Sequence, residues 1–158
     1  MEFRIKGLPV QEFAPLFGLS DSELAERGVV RRIANRKPGF PDRVELRDAE
    51  PGEAVLLLNY MHQPADSPYR ASHAVFVLEG ASASFDAIGV VPEVLRRRML
   101  SVRAFDGAGM MRDADLVDGS QVESLIERLL ADPQTGYLHV HYAKPGCYAA
   151  RVERVSGI

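Results

Sequence analysis

Ala54-Val55-Leu56-Leu57-Leu58-Asn59-Tyr60 is an unbroken apolar run with little contrast between neighbouring positions. A run of that kind suits a central strand covered on both faces. A polar stretch from Met61 to Ala71 follows and is expected to be a loop. His73 to Leu78 is a second apolar strand. Two such strands joined by one connection usually pair side by side, which brings the two ends of the loop together.

Toward the N-terminus, Phe3 and Ile5 alternate with charge and predict a short first strand. Pro9 can open a helical turn through Phe13, and Pro15 breaks anything longer. Ser20 to Arg27 predicts a helix. Ser20 and Glu23 have capping-box spacing, Leu19 and Leu24 have staple spacing, and Gly28 stops the helix. Val29 to Ala34 reads as a strand. Lys37 to Pro41 and Glu50-Pro51-Gly52 read as turns.

Toward the C-terminus, Ala81 to Val91 is expected to be irregular and Pro92 to Arg98 a short helix. Its Arg96-Arg97-Arg98 run suits a helix C-terminus and needs no nucleic acid to explain it. Met99 to Phe105 and Met110 to Leu116 flank Asp106-Gly107-Ala108-Gly109 as a hairpin. Ser120 and Glu123 repeat the capping-box spacing. Val122, Leu125, Ile126, Leu129 and Leu130 then fall on one helical stripe. Asp132-Pro133 ends that helix. Tyr137 to Tyr142 and Cys147 to Val155 are strands around Lys144-Pro145-Gly146. Several strands follow one another with no helix between them. The expected fold is therefore α+β: a mainly antiparallel or mixed sheet of six to eight strands, with two main helices packed on it. It forms a single domain over residues 1–158.

The net charge of -3 over 158 residues argues against general affinity for nucleic acid or acidic lipid. No cofactor is expected, and the oligomeric state is left open. Cys147 is the only cysteine, which excludes an internal disulfide and suits a reducing, cytoplasmic setting. The opening residues carry scattered charge and lack the apolar core of a signal peptide. The apolar run at Ala54 is far too short to span a bilayer. Phosphate-binding, dinucleotide-binding, zinc-protease, paired-cysteine and serine-hydrolase motifs are all missing.

The stretch Asn59-Tyr60-x-His62-Gln63-Pro64-Ala65-Asp66-x-Pro68-Tyr69-Arg70-x-Ser72-His73-Ala74 is not generic. It resembles a bacterial domain-of-unknown-function family, number twelve hundred and three. Leu46 to Gly52, Ser101 to Asp106, and Ala143-Lys144-x-Gly146-Cys147 are similar to that family too. The resemblance covers nearly the whole chain and implies no activity, so function has to come from the residues themselves.

Four constellations carry candidate chemistry. The first is the polar loop. Arg70 can fork onto a carboxylate or phosphate, with Tyr69 beside it, and His62 or His73 can carry a proton near neutral pH. The alternative is an ordered loop whose polar groups satisfy each other. The second is His139 and His141, which share one face of a strand. A two-residue hairpin at Pro145-Gly146 would set Val152 opposite His139 and Ala150 opposite His141. The pair suits two ligands of a metal ion, with His62 or His73 as a third, but no acid or cysteine stands at a recognised ligand spacing. The third is Cys147, which that register sets on the face away from His139 and His141. A packed, inert thiol is the expectation. The fourth is Asp113, Asp115 and Asp118, whose spacing departs from a calcium loop and suits a helix start instead.

The leading expectation is a domain that binds a small anionic molecule through Arg70 with His62, His73 and Tyr69, joined by His139 or His141. Such a domain would be an enzyme if one of His62 and His73 works as acid or base. The alternatives are a non-catalytic interaction or assembly module and, third, a metal-dependent enzyme.

Overall fold

A computed structural model describes residues 2–155; Met1 and residues 156–158 lie outside the described span. The apolar run at Ala54 becomes part of the longest strand. In chain order the elements are β1 (Phe3–Lys6), α1 (Asp21–Glu26), β2 (Val30–Ile33), β3 (Ala54–Gln63), β4 (Ala71–Leu78) and β5 (Asp86–Ile88). They continue as α2 (Glu93–Arg96), β6 (Met99–Phe105), β7 (Met111–Asp118), α3 (Val122–Leu130), β8 (Tyr137–Tyr142) and β9 (Tyr148–Arg154).

The fold is α+β. Its nine strands among the described residues form two antiparallel sheets, not one sheet of six to eight. The larger has the order β5-β1-β9-β8-β6-β7, and the smaller β2-β3-β4. The extra strand, β5, lies in the stretch expected to be irregular. Asp86-Ala87-Ile88 is too short to show a period, and it forms only by pairing with β1.

Alternation within β8 separates two environments. Leu138, Val140 and Tyr142 join the core built with the α3 stripe: Val122, Leu125, Ile126, Leu129 and Leu130. His139 and His141 turn to the other face, where the small sheet packs through Leu56, Leu58 and Val75. Tyr148 of β9 belongs to this second core.

Three local expectations are corrected. The capping box at Ser20 and Glu23 forms, but the one at Ser120 and Glu123 does not. Asp118 accepts from the Ser120 amide there, while the Glu123 carboxylate is drawn to Arg96 across the gap to α2. The loop after β3 is shorter than Met61 to Ala71, because pairing continues to Gln63↔Ala71 through a bulge. The turn before β9 is also longer than two residues. The Gly146 amide, at φ 81°, bonds back to the Tyr142 carbonyl. This moves the register by one, so His139 faces Arg151, not Val152. A bulge at Ala149 then pairs His141 with Tyr148, not Ala150.

Candidate functional site: a histidine cluster between the sheets

The bulge in β3 is the first device that builds the site. It buries two successive residues, His62 and Gln63. A regular strand would send one of them to solvent, whereas a bulge re-aims a side chain. Gln63 anchors the strand end by donating from Nε2 to the Tyr137 hydroxyl of β8 at 2.9 Å. His62 is thereby held over the face of β8 that carries His139 and His141.

All four histidines of the chain meet there. His62 stacks on His73, with centroids 4.6 Å apart, and on Tyr148, with centroids 5.0 Å apart. His139 and His141 approach His62 edge-on at 5.7 and 5.1 Å. His62, His139 and His141 are 8%, 2% and 1% exposed. Each of these three offers a ring nitrogen within 4.8 Å of the others.

The hydrogen bonding of the cluster is incomplete. His141 Nδ1 lies 3.0 Å from the Gly146 carbonyl. A carbonyl only accepts, so Nδ1 carries the proton and Nε2 presents a lone pair. Arg103 reaches that nitrogen from 3.4 Å. Both nitrogens of His62 and Nδ1 of His73 and His139 are buried without a partner among the described residues. Burial pushes His62 down to about 4 and His141 to about 3, helped by the charge of Arg103, and it lowers His73 too. These shifts favour neutral imidazoles, and His62, His73 and His139 keep buried ring nitrogens without a partner among the described residues.

A cleft of about 610 Å³ opens onto His62, His139 and Tyr148. Its charged lining balances: Lys6 and Arg151 both lie against Glu153, and Asp86 pairs with Arg4.

The other expected site residues lie apart. Ser67 Oγ donates to the Gly109 carbonyl at 2.9 Å and docks residues 64–70 on the β6–β7 turn. That leaves Tyr69 and Arg70 exposed. Tyr69 meets Phe105 edge-on, and Arg70 donates to the Pro64 carbonyl within its own loop. The arginine at the cluster is Arg103, not Arg70. The sequence held one signal for it: Arg103 sits in a strand, two positions from Ser101, so both share a face. Nothing local showed that β8 pairs there, with Arg103 opposite His139. Cys147 packs beside the α3 core and away from the cluster, and Arg43 donates to its sulfur at 2.9 Å. Asp113 and Asp115 pair with Arg128.

A family model described as "Protein of unknown function (DUF1203)" matches residues 39–154. The chain belongs to this family. The DUF1203 match takes in all four histidines, Arg103 and Tyr148, and it leaves β1, α1 and β2 outside. No curated protein and no solved structure matches the chain. Among the described residues no helix is long and apolar enough to cross a membrane.

Proposed function

We propose that His62, His139 and His141 bind a divalent first-row metal ion, zinc being the reference, and that the protein is a metal-dependent enzyme acting on a small anionic molecule. The observation that carries this is the meeting of three buried neutral imidazoles from two sheets, two of which, His62 and His139, hold ring nitrogens that no protein group among the described residues satisfies. An unsatisfied buried polar atom costs about 1–3 kcal/mol, so a cluster of them favours a further partner. Neutral imidazole is a good ligand for such ions. Zinc–nitrogen bonds of about 2.0–2.1 Å set tetrahedral ligand atoms about 3.4 Å apart, so the three rings must close by roughly an ångström.

The Gly146 carbonyl would hold His141 in the tautomer that presents Nε2, an outer contact typical of metal-bound histidine. His73 and Tyr148 would clamp His62 between them and fix its ring plane. Three protein ligands would leave a fourth position for a water that a bound ion would acidify, and two of the three, His62 and His139, line the cleft. Arg103 would leave His141 Nε2 on metal binding and become free to pair with an anionic ligand. The anion-binding role expected of Arg70 passes to Arg103 in this account. The free thiol of Cys147 supports a reducing, cytoplasmic setting.

The test uses untagged protein. Metal content should approach one equivalent per chain, and cobalt loading should give the visible absorption of a tetrahedral site. His62→Gln and His139→Ala should each abolish that absorption while the far-ultraviolet spectrum stays native. Zinc and cobalt affinities weaker than micromolar, or wild-type cobalt spectra in both variants, would sink the proposal.

A further inference from the structure

We propose that a second cavity, sharing no lining residue with the histidine cluster, binds an organic anion: a carboxylate or phosphate head on an apolar body. The cavity holds about 660 Å³, within the range of small-molecule sites. It opens where Pro41–Arg43, the β8–β9 turn and β3–β4 come together.

Its charge is one-sided. Arg36, Arg43, Arg98 and Lys144 line it, and no aspartate or glutamate does. Arg98 is compensated, with two bonds to Asp48 at 2.7 and 3.1 Å. Arg43 is not. It is 2% exposed, yet its three hydrogen bonds go to the Tyr148 carbonyl (2.8 Å), the Pro41 carbonyl (2.5 Å) and Cys147 Sγ (2.9 Å). Buried cations are ordinarily paired with an anion, and none of its partners here is one. Asp42, next to it in sequence, turns its carboxylate to the amides of Val44, Glu45 and Leu78.

A second polar group independently points to a ligand. Tyr142 lines the same cavity and is 2% exposed, but its hydroxyl has no partner among the described residues. The guanidinium carbons of Arg43 and Arg98 each lie 5.1 Å from its ring centroid. An oxyanion entering here would accept from the Tyr142 hydroxyl and the guanidinium groups, with Lys144 at the mouth. Leu57, Phe76 and Met99 supply apolar wall, which is why the ligand needs a body as well as a head.

The half-buried Cys147 provides the assay, because a ligand in this cavity covers its sulfur. Iodoacetamide labelling of the native protein is followed with hexanoate, hexyl phosphate, inorganic phosphate or hexanol, with and without zinc. Hexanoate or hexyl phosphate should slow labelling about fivefold or more at millimolar concentration, and the stronger of the two identifies the head group. Inorganic phosphate and hexanol, each lacking half of the recognition, should protect far less. Tyr142→Phe keeps the ring and should raise the apparent dissociation constant about tenfold. Lys144→Ala, an exposed change, should raise it severalfold. Equal protection by hexanol, no protection by either amphipathic anion, or unchanged constants in both variants would overturn the proposal. Because the assay does not depend on zinc, its failure is separable from failure of the histidine site.

Discussion

The ring of His62 lies 10° from parallel with that of Tyr148, centroids 5.0 Å apart, although one residue comes from each sheet. The contact exists because both strands are bulged. The bulge in β3 buries His62, and the bulge at Ala149 sets Tyr148 opposite His141. Tyr148 is thus both a wall of the cleft and a joint between the sheets.

Tyr148→Ala should therefore cost about 3–5 kcal/mol, the usual loss for truncating a buried aromatic side chain. Tyr148→Phe keeps the stacking and should cost far less. Urea unfolding of the two variants measures the difference, and equal losses would show that the ring contributes no packing.

Stability of the metal-free protein should fall as the pH is lowered from about 6.5 toward 4. His62 is pushed down to about 4 in the folded state by burial, the neighbouring His73 and Arg103. His141 is pushed lower still by burial and Arg103, and His73 is lowered by burial, Arg103 and Arg43. The unfolded chain takes up these protons first, at the ordinary histidine value of about 6.5. Stability is therefore fully present above that pH and is lost below it, by about 1.4 kcal/mol per pH unit for each proton withheld. Unfolding midpoints in urea at several pH values provide the check, and His62→Gln should flatten the profile.

Arg70 and Arg103 should behave differently. Arg70→Ala removes an exposed bond to a carbonyl in its own loop, so it should cost at most about 1 kcal/mol and leave metal affinity unchanged. Arg103→Gln removes a positive charge and a competing donor from His141 Nε2, so zinc affinity should rise about tenfold. Titration against a chromophoric chelator would reveal both effects. A weaker zinc affinity in the Arg103 variant would contradict the role given to this arginine.

Gly109→Ala should destabilise the protein and disturb the loop at residues 64–70. Gly109 has φ 79°, and an added Cβ would lie 2.3 Å from the Ala65 Cβ. The backbone conformation alone costs about 1–2 kcal/mol for a residue with a side chain, and the clash adds to it. Ala65→Gly in the same chain should recover the part due to the clash. Thermal melting of the single and double variants separates the two contributions.

Local pattern was enough for much of this protein. The apolar runs at Ala54 and His73 became paired strands, the capping box at Ser20 started a helix, and the stripe from Val122 to Leu130 was buried. Alternation also set His139 and His141 on one face of β8. These are near-neighbour properties: spacing along the chain decides hydrogen-bond reach and which side chains share a face. Tertiary structure alone decided what that face meets. A strand's period does not say which surface packs over it, so nothing near His139 revealed that His62 arrives from the other sheet. Nor did it reveal Arg103 from the adjacent strand, or that Arg70 stays outside. The two bulges add one residue each without altering the apolar pattern. One extra residue exchanges inside for outside, and so whether His62 is buried and what His141 faces were settled only when the strands paired.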